Sequence, residues 1–212
     1  MTTLSARSRV GLRRPYGRRL GQLLAGLWLY GLSSALLVRA RLGVVPWDVL
    51  HQGIARRVDA SLGTITIVVS VIVLLAWLPL RQRPGLGTLS NIAVIGVSVD
   101  VSLALLPRLD AMGGRVALML TGIVLNAVAT AAYIGVQLGP GPRDGLMTGL
   151  VRRTGASVRV VRTGIEVVVV LAGIVLGGTF GVGTLAYALL IGTLVQPLLP
   201  RLSVPEPQSG RR

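Results

Sequence analysis

The sequence predicts an all-α membrane protein: six transmembrane helices arranged as an inverted three-plus-three repeat, with a short re-entrant or interfacial helix after the first span of each half. Three observations carry this expectation. The 212-residue chain is 52% hydrophobic and only 14% charged, with a mean hydropathy of +0.73, which is too apolar and too charge-poor for a water-soluble domain. Six apolar stretches, near 20–38, 63–80, 88–106, 116–137, 161–179 and 184–199, each come close to the roughly 20 residues a helix needs to cross a bilayer. Lastly, LGVVPWDVLHQGIARR at 42–57 recurs 96 residues later as LGPGPRDGLMTGLVRR at 138–153, with eight of sixteen positions identical where this composition gives roughly one or two by chance.

Taken in order, residues 1–19 carry six arginines and no apolar run, and they are expected to form a mobile basic tail held at the cytoplasmic face by anionic lipid. Leu20 to Val38 is longer than the apolar part of a cleaved signal and is followed by Arg39 and Arg41, so it is expected to be a span. Three spans fill repeat 1 (20–107) and three fill repeat 2 (116–202); the linkers 81–87 and 177–183 are rich in Gly and predict tight turns, and 203–212 predicts a disordered tail. An odd number of crossings per half makes the second copy enter from the opposite side, so the halves are expected to be inverted about an axis in the membrane plane. GLGTL from Gly85 matches GVGTL from Gly181 at the same offset of 96 and supplies a second anchor for the repeat. Counting loop arginines places both termini in the cytoplasm.

Each repeated segment predicts a short helix, from Pro46 to Arg57 and from Pro142 to Arg153. Proline opens it, Asp48 or Asp144 lies in its first turn, and paired arginines end it. About eleven helical residues reach about 16 Å, roughly half a bilayer. Two placements are compatible with this. Either the proline-aspartate ends are deep, pointing at one another from opposite faces, or both helices lie in the interface with their apolar sides in lipid. In the first case the two helix N-termini, with unpaired N–H groups and positive dipoles, suit a polar or anionic solute. Pro46, Trp47, Asp48, Pro142, Arg143 and Asp144 are therefore candidate solute- or ion-binding residues; Trp47 is matched by Arg143, so the copies diverge at this point.

Asp100, inside the third stretch, joins these candidates because a carboxylate there must face protein or water. Asn91 and Asn126 are structural polar candidates for bonds between helices, and Arg162 with Glu166, four residues on, is expected to form an ion pair. The +15 formal charge comes from 22 arginines that punctuate apolar segments, so it is read as topological and no nucleic-acid partner is expected. With no Cys and one His, no metal or other cofactor is expected, and no nucleophile and base are spaced for enzyme chemistry.

The pattern of Leu42, Gly43, Pro46, Trp47, Asp48, His51 and Gly53, followed by Gly85, Gly87, Thr88, Asn91, Gly96 and Asp100, resembles the YczE-like bacterial integral membrane proteins, relatives of the YitT membrane family. The similarity runs from Leu20 to about Leu199 and is looser in the second half. It implies a multi-pass bacterial plasma (inner) membrane protein and supplies neither substrate nor reaction. The expected function is a small permease or channel-like protein for a small polar or anionic solute, the bilayer being its environment; so short a bundle is compatible with a homodimer, and the sequence does not set the oligomeric state. The alternative is a non-transporting accessory or assembly protein.

Overall fold

The computed structural model describes the backbone of residues 5–204 and the side chains of 16–204. Among these residues every regular element is helical: α1 (Ser5–Ala40), α2 (Pro46–Val58), α3 (Leu62–Leu75), α4 (Trp77–Leu80), α5 (Leu86–Leu105), α6 (Met112–Gly135), α7 (Pro142–Thr154), α8 (Val158–Val175) and α9 (Val182–Leu202). Five segments are long and apolar enough to cross a membrane: Tyr16–Ala40, Leu62–Leu80, Leu86–Leu105, Met112–Gly135 and Val182–Leu202. The remaining predicted stretch overlaps α8, whose 18 residues include three charged ones, Arg159, Arg162 and Glu166. Lipid-type exposure is plain along these helices: Leu78, Leu105, Val175 and Leu189 are all more than 70% exposed, with no polar partner to hold them in water.

The two copies lean on each other through contacts that recur with partners exchanged. The N–H of Gly87 donates to the carbonyl of Leu138 (2.8 Å), and the N–H of Gly183 donates to that of Leu42 (2.7 Å). Each LG arm thus docks on the first turn of the last long helix of the other copy. The threonines that follow repeat the exchange: Thr88 Oγ1 donates to the carbonyl of Pro140 (2.7 Å), while Thr184 Oγ1 accepts from the N–H of Val44 (3.1 Å). Gly43 and Gly139 occupy the bend of the arms at φ +118° and +125°, where a side chain is strained. A Cβ on Gly43 would also lie 2.7 Å from the Thr184 nitrogen.

Two arginines extend the pattern and revise their expected place. Arg19 is buried, and its Nε donates to the carbonyl of Val136 (2.9 Å) just past the end of α6; Arg115 Nε donates to the carbonyl of Ala40 (2.9 Å) at the end of α1. Each guanidinium satisfies orphan carbonyls at a helix C-terminus, where the dipole also favours a cation. Within the stretch expected as a basic tail, 1–19, the backbone is helical from Ser5 and Arg19 is buried against the end of α6. Residues 1–4, and 205–212 of the expected C-terminal tail, lie outside the described residues.

The short helices pack crosswise as well. α2 lies on α8, where a Cβ on Gly173 or Gly178 would collide with the Val49 backbone; α7 lies on α3 and α4, where Gly145 abuts the Trp77 ring. The Trp77 indole N–H donates to the carbonyl of Pro142 (2.9 Å) and anchors the start of α7.

Candidate functional site

Proline begins both α2 and α7, where its fixed φ suits the first helical turn and its missing N–H costs nothing. The N-terminal ends of these helices are buried, with Pro46, Trp47 and Asp48 of α2 and Pro142 of α7 inside the protein, whereas Arg57, Arg152 and Arg153 at the other ends are exposed. Both buried ends open on one cavity of about 330 Å³, whose wall includes Pro46, Trp47, Pro142, Arg143 and Asp144. Tyr30, Asn91, Tyr133 and Tyr187 add further polar groups to its lining.

Arg143 bridges the two copies within this site. Its guanidinium carbon lies 5.0 Å from the centre of the Trp47 ring, and its Nη2 lies 3.9 Å from Oδ1 of Asp48. A guanidinium held over an indole face keeps its N–H donors free for a carboxylate or a solute. Asp48 makes no cap bond to its own helix; instead its Oδ1 lies 3.1 Å from Nδ1 of His51, just behind the cavity wall. On the second copy, Asp144 accepts a hydrogen bond from the Tyr133 hydroxyl (3.0 Å). Arg162 and Glu166 form their ion pair at 3.0 Å and also line the cavity. The wall thus carries two arginines and two carboxylates, with the positive ends of two helices added to them.

The profile of DUF6198, a family of unknown function, matches residues 17–199. The chain belongs to this family. An uncharacterized protein of Haemophilus influenzae is 42% identical over 174 residues, covering 82% of this chain and 80% of its own. The Bacillus subtilis uncharacterized membrane protein YczE is 31% identical over 179 residues, 84% of this chain and 83% of its own. The uncharacterized protein YyaS of the same organism is 25% identical over 179 residues, 82% and 89% of the two chains. No solved structure matches. Kinship with YczE and five apolar helices of spanning length make this DUF6198 member a helical membrane protein.

Of the residues singled out from the sequence of this DUF6198 protein, Pro46, Trp47, Asn91, Pro142, Arg143, Asp144, Arg162 and Glu166 line the cavity, and Asp48 stands directly behind Trp47 and Arg143. Asp100 does not belong there. Its Oδ1 accepts from the N–H of Gly63 (2.7 Å) and its Oδ2 from Ser61 Oγ (2.6 Å), so it caps the start of α3 and satisfies that helix's orphan donors. Asn126 is a joint between helices: its amide donates to Ser33 Oγ (2.7 Å) and its Oδ1 accepts from the Tyr187 hydroxyl (2.8 Å). His51 and Tyr133 escaped the sequence-based site. Their counterparts 96 residues away are Met147 and Leu37, so departure from the repeat, already informative at Trp47 and Arg143, was the available signal.

Proposed function

We propose that this membrane protein is a small-solute permease or channel-like transporter of the bacterial plasma membrane, built as a six-span inverted repeat with α8 as the remaining span and both termini cytoplasmic. α2 and α7 are re-entrant half-helices from opposite faces, and the solute, small and polar or anionic, sits between their N-termini. The observation that carries this function is Arg143, held between Trp47 and Asp48 of the other copy at a cavity that both helix ends open on. The exchanged contacts of Gly87 with Leu138 and Gly183 with Leu42 support inversion, because a two-fold relation between halves swaps partners in this way. No covalent chemistry is assigned to the cavity, and no resident cofactor.

The test is a metabolite-wide comparison of uptake and export in cells with and without the gene, followed by binding of the metabolites that differ to the purified protein. Transport predicts at least one small polar metabolite whose flux needs Arg143. If the cellular phenotype survives replacement of Arg143 and Asp144 but is abolished by changes on a lipid-facing helix surface, the protein is an accessory component of another membrane assembly.

A further inference from the structure

Behind the cavity wall lies a group that solute binding does not use. His51 is fully buried, and it is the only histidine of the chain. Its Nδ1 has two neighbours, Oδ1 of Asp48 at 3.1 Å and Oγ1 of Thr66 at 3.2 Å. The Thr66 hydroxyl donates its one hydrogen to the carbonyl of Leu62 (2.9 Å) and is left with lone pairs for His51. A carboxylate only accepts. Both neighbours of Nδ1 are therefore acceptors, Nδ1 carries the hydrogen of the neutral ring, and Nε2 carries a bare lone pair. That Nε2 is buried and has no hydrogen-bond partner among the described residues, as is Oδ2 of Asp48. A buried basic nitrogen without a partner is costly unless it serves to take up something.

The same carboxylate oxygen that meets His51 also meets Arg143, at 3.9 Å. One anion thus stands between a permanent cation and a group able to become one. We infer that His51 is a proton-binding site that competes with Arg143 for Asp48, so that a proton on Nε2 frees the Arg143 charge for an anionic solute; this deepens, and rests on, the transport function proposed above. With neutral His51, Asp48 and Arg143 cancel. Once the proton arrives from the aqueous phase, Asp48 pairs with the imidazolium and Arg143 is left without that carboxylate beside the cavity. A guanidinium that has lost a close counter-ion in a low-dielectric interior gains most from a new one, and an anionic solute supplies it. Proton and anion therefore bind together.

The surroundings leave this exchange to these three residues. α1 presents Tyr30, α3 presents Thr66 and no charged group, α7 presents Arg143 and Asp144, and α8 presents Arg162 and Glu166. Asp144 accepts from the neutral Tyr133 hydroxyl and Glu166 pairs with Arg162, while Asp48 is the one carboxylate within 4 Å of the Arg143 guanidinium among the described residues.

A lone histidine makes the test direct. The full chain, purified without a histidine tag and labelled with nitrogen-15 at histidine and tryptophan, is followed by NMR in lipid nanodiscs over about pH 5 to 9, where imidazoles ordinarily titrate. The expected result is a neutral His51 ring protonated at Nδ1 at high pH, a second proton on Nε2 at lower pH, and a Trp47 indole resonance that moves with the same midpoint as Arg143 above its ring loses the Asp48 carboxylate. Arg143→Gln moves the midpoint up, because a neighbouring cation is gone; Asp48→Asn moves it down or out of range, because the imidazolium loses its counter-ion. A high-pH ring protonated at Nε2, a ring that never gains its second proton, or a Trp47 resonance indifferent to the transition overturns the inference. If Asp48→Asn does not fold, the native titration and Arg143→Gln still decide it. No solute is involved, so failure here leaves the transport proposal standing, and a failed flux comparison leaves the titration standing.

Discussion

Arg143 lies with its guanidinium carbon 5.0 Å from the centre of the Trp47 ring, although the two residues occupy the same place in their respective copies, 96 positions apart. Equivalent positions meet only close to the axis that relates the halves, and there a symmetric pair would put two tryptophans or two arginines against each other. Divergence turned that self-contact into a cation on an aromatic face, an arrangement that a duplicated sequence reaches only by breaking its symmetry.

This stacking predicts how substitutions at the pair behave. Arg143→Gln abolishes Arg143-dependent flux. Arg143→Lys keeps the charge but loses the flat face that lies on the indole, and solute affinity falls about 10-fold, the equivalent of about 1.4 kcal/mol. Trp47→Phe retains a ring for the guanidinium and costs less than Trp47→Ala. Binding of the identified metabolite to each purified variant measures the order.

The bends of the two arms differ in how tightly they are enclosed. Gly43→Ala places a Cβ 2.7 Å from the Thr184 nitrogen at φ +118°, whereas at Gly139 the nearest atom is 3.1 Å away. Gly43→Ala is expected to lose upwards of about 2 kcal/mol, and Gly139→Ala less, given that strain at positive φ alone costs about 1–3 kcal/mol. Apparent melting temperatures of the detergent-solubilised variants check the ranking; equal losses would show that the arms are equally enclosed.

The proposed inversion of the two halves makes a prediction about sidedness. The chain has no cysteine, so single cysteines can be placed in the native background. Arg57→Cys is expected to react with an impermeant maleimide from the periplasmic side and Arg153→Cys from the cytoplasmic side. Val45→Cys, at a buried position before Pro46, is expected to react far more slowly than either. Labelling of Arg57→Cys and Arg153→Cys from the same side would exclude opposed half-helices.

Asp100 is expected to matter for stability alone. Asp100→Ala leaves the N–H of Gly63 without its acceptor, while the Ser61 hydroxyl can still turn to Thr64 Oγ1 (2.8 Å), and costs about 1–3 kcal/mol. Flux per folded molecule is expected to stay at the native level, measured on the same preparation as the melt; a fall in flux without a fall in stability would return Asp100 to the transport path.

Hydropathy, the repeat and helix-end chemistry determine a good deal of this protein from its sequence alone. Five of the six apolar stretches fall on segments long and apolar enough to cross a membrane and the sixth overlaps α8, while Pro46 and Pro142 open short helices that end at paired arginines, because these are local properties of spacing and of what a helix end tolerates. The pairing of Arg162 with Glu166 is equally local, one helical turn apart. Only the tertiary structure decided which polar groups face one another. Asp100 and Asp144 read alike as carboxylates in apolar surroundings, yet one caps α3 and the other meets Tyr133 on the cavity wall. Arg19 and Arg115 read as tail and loop charges, yet each closes the end of a helix contributed by the other copy. His51 acquires its meaning from Thr66 and Asp48, and Arg143 from Trp47, through contacts made when the two halves dock crosswise, and spacing along one chain carries no record of which of its surfaces will meet.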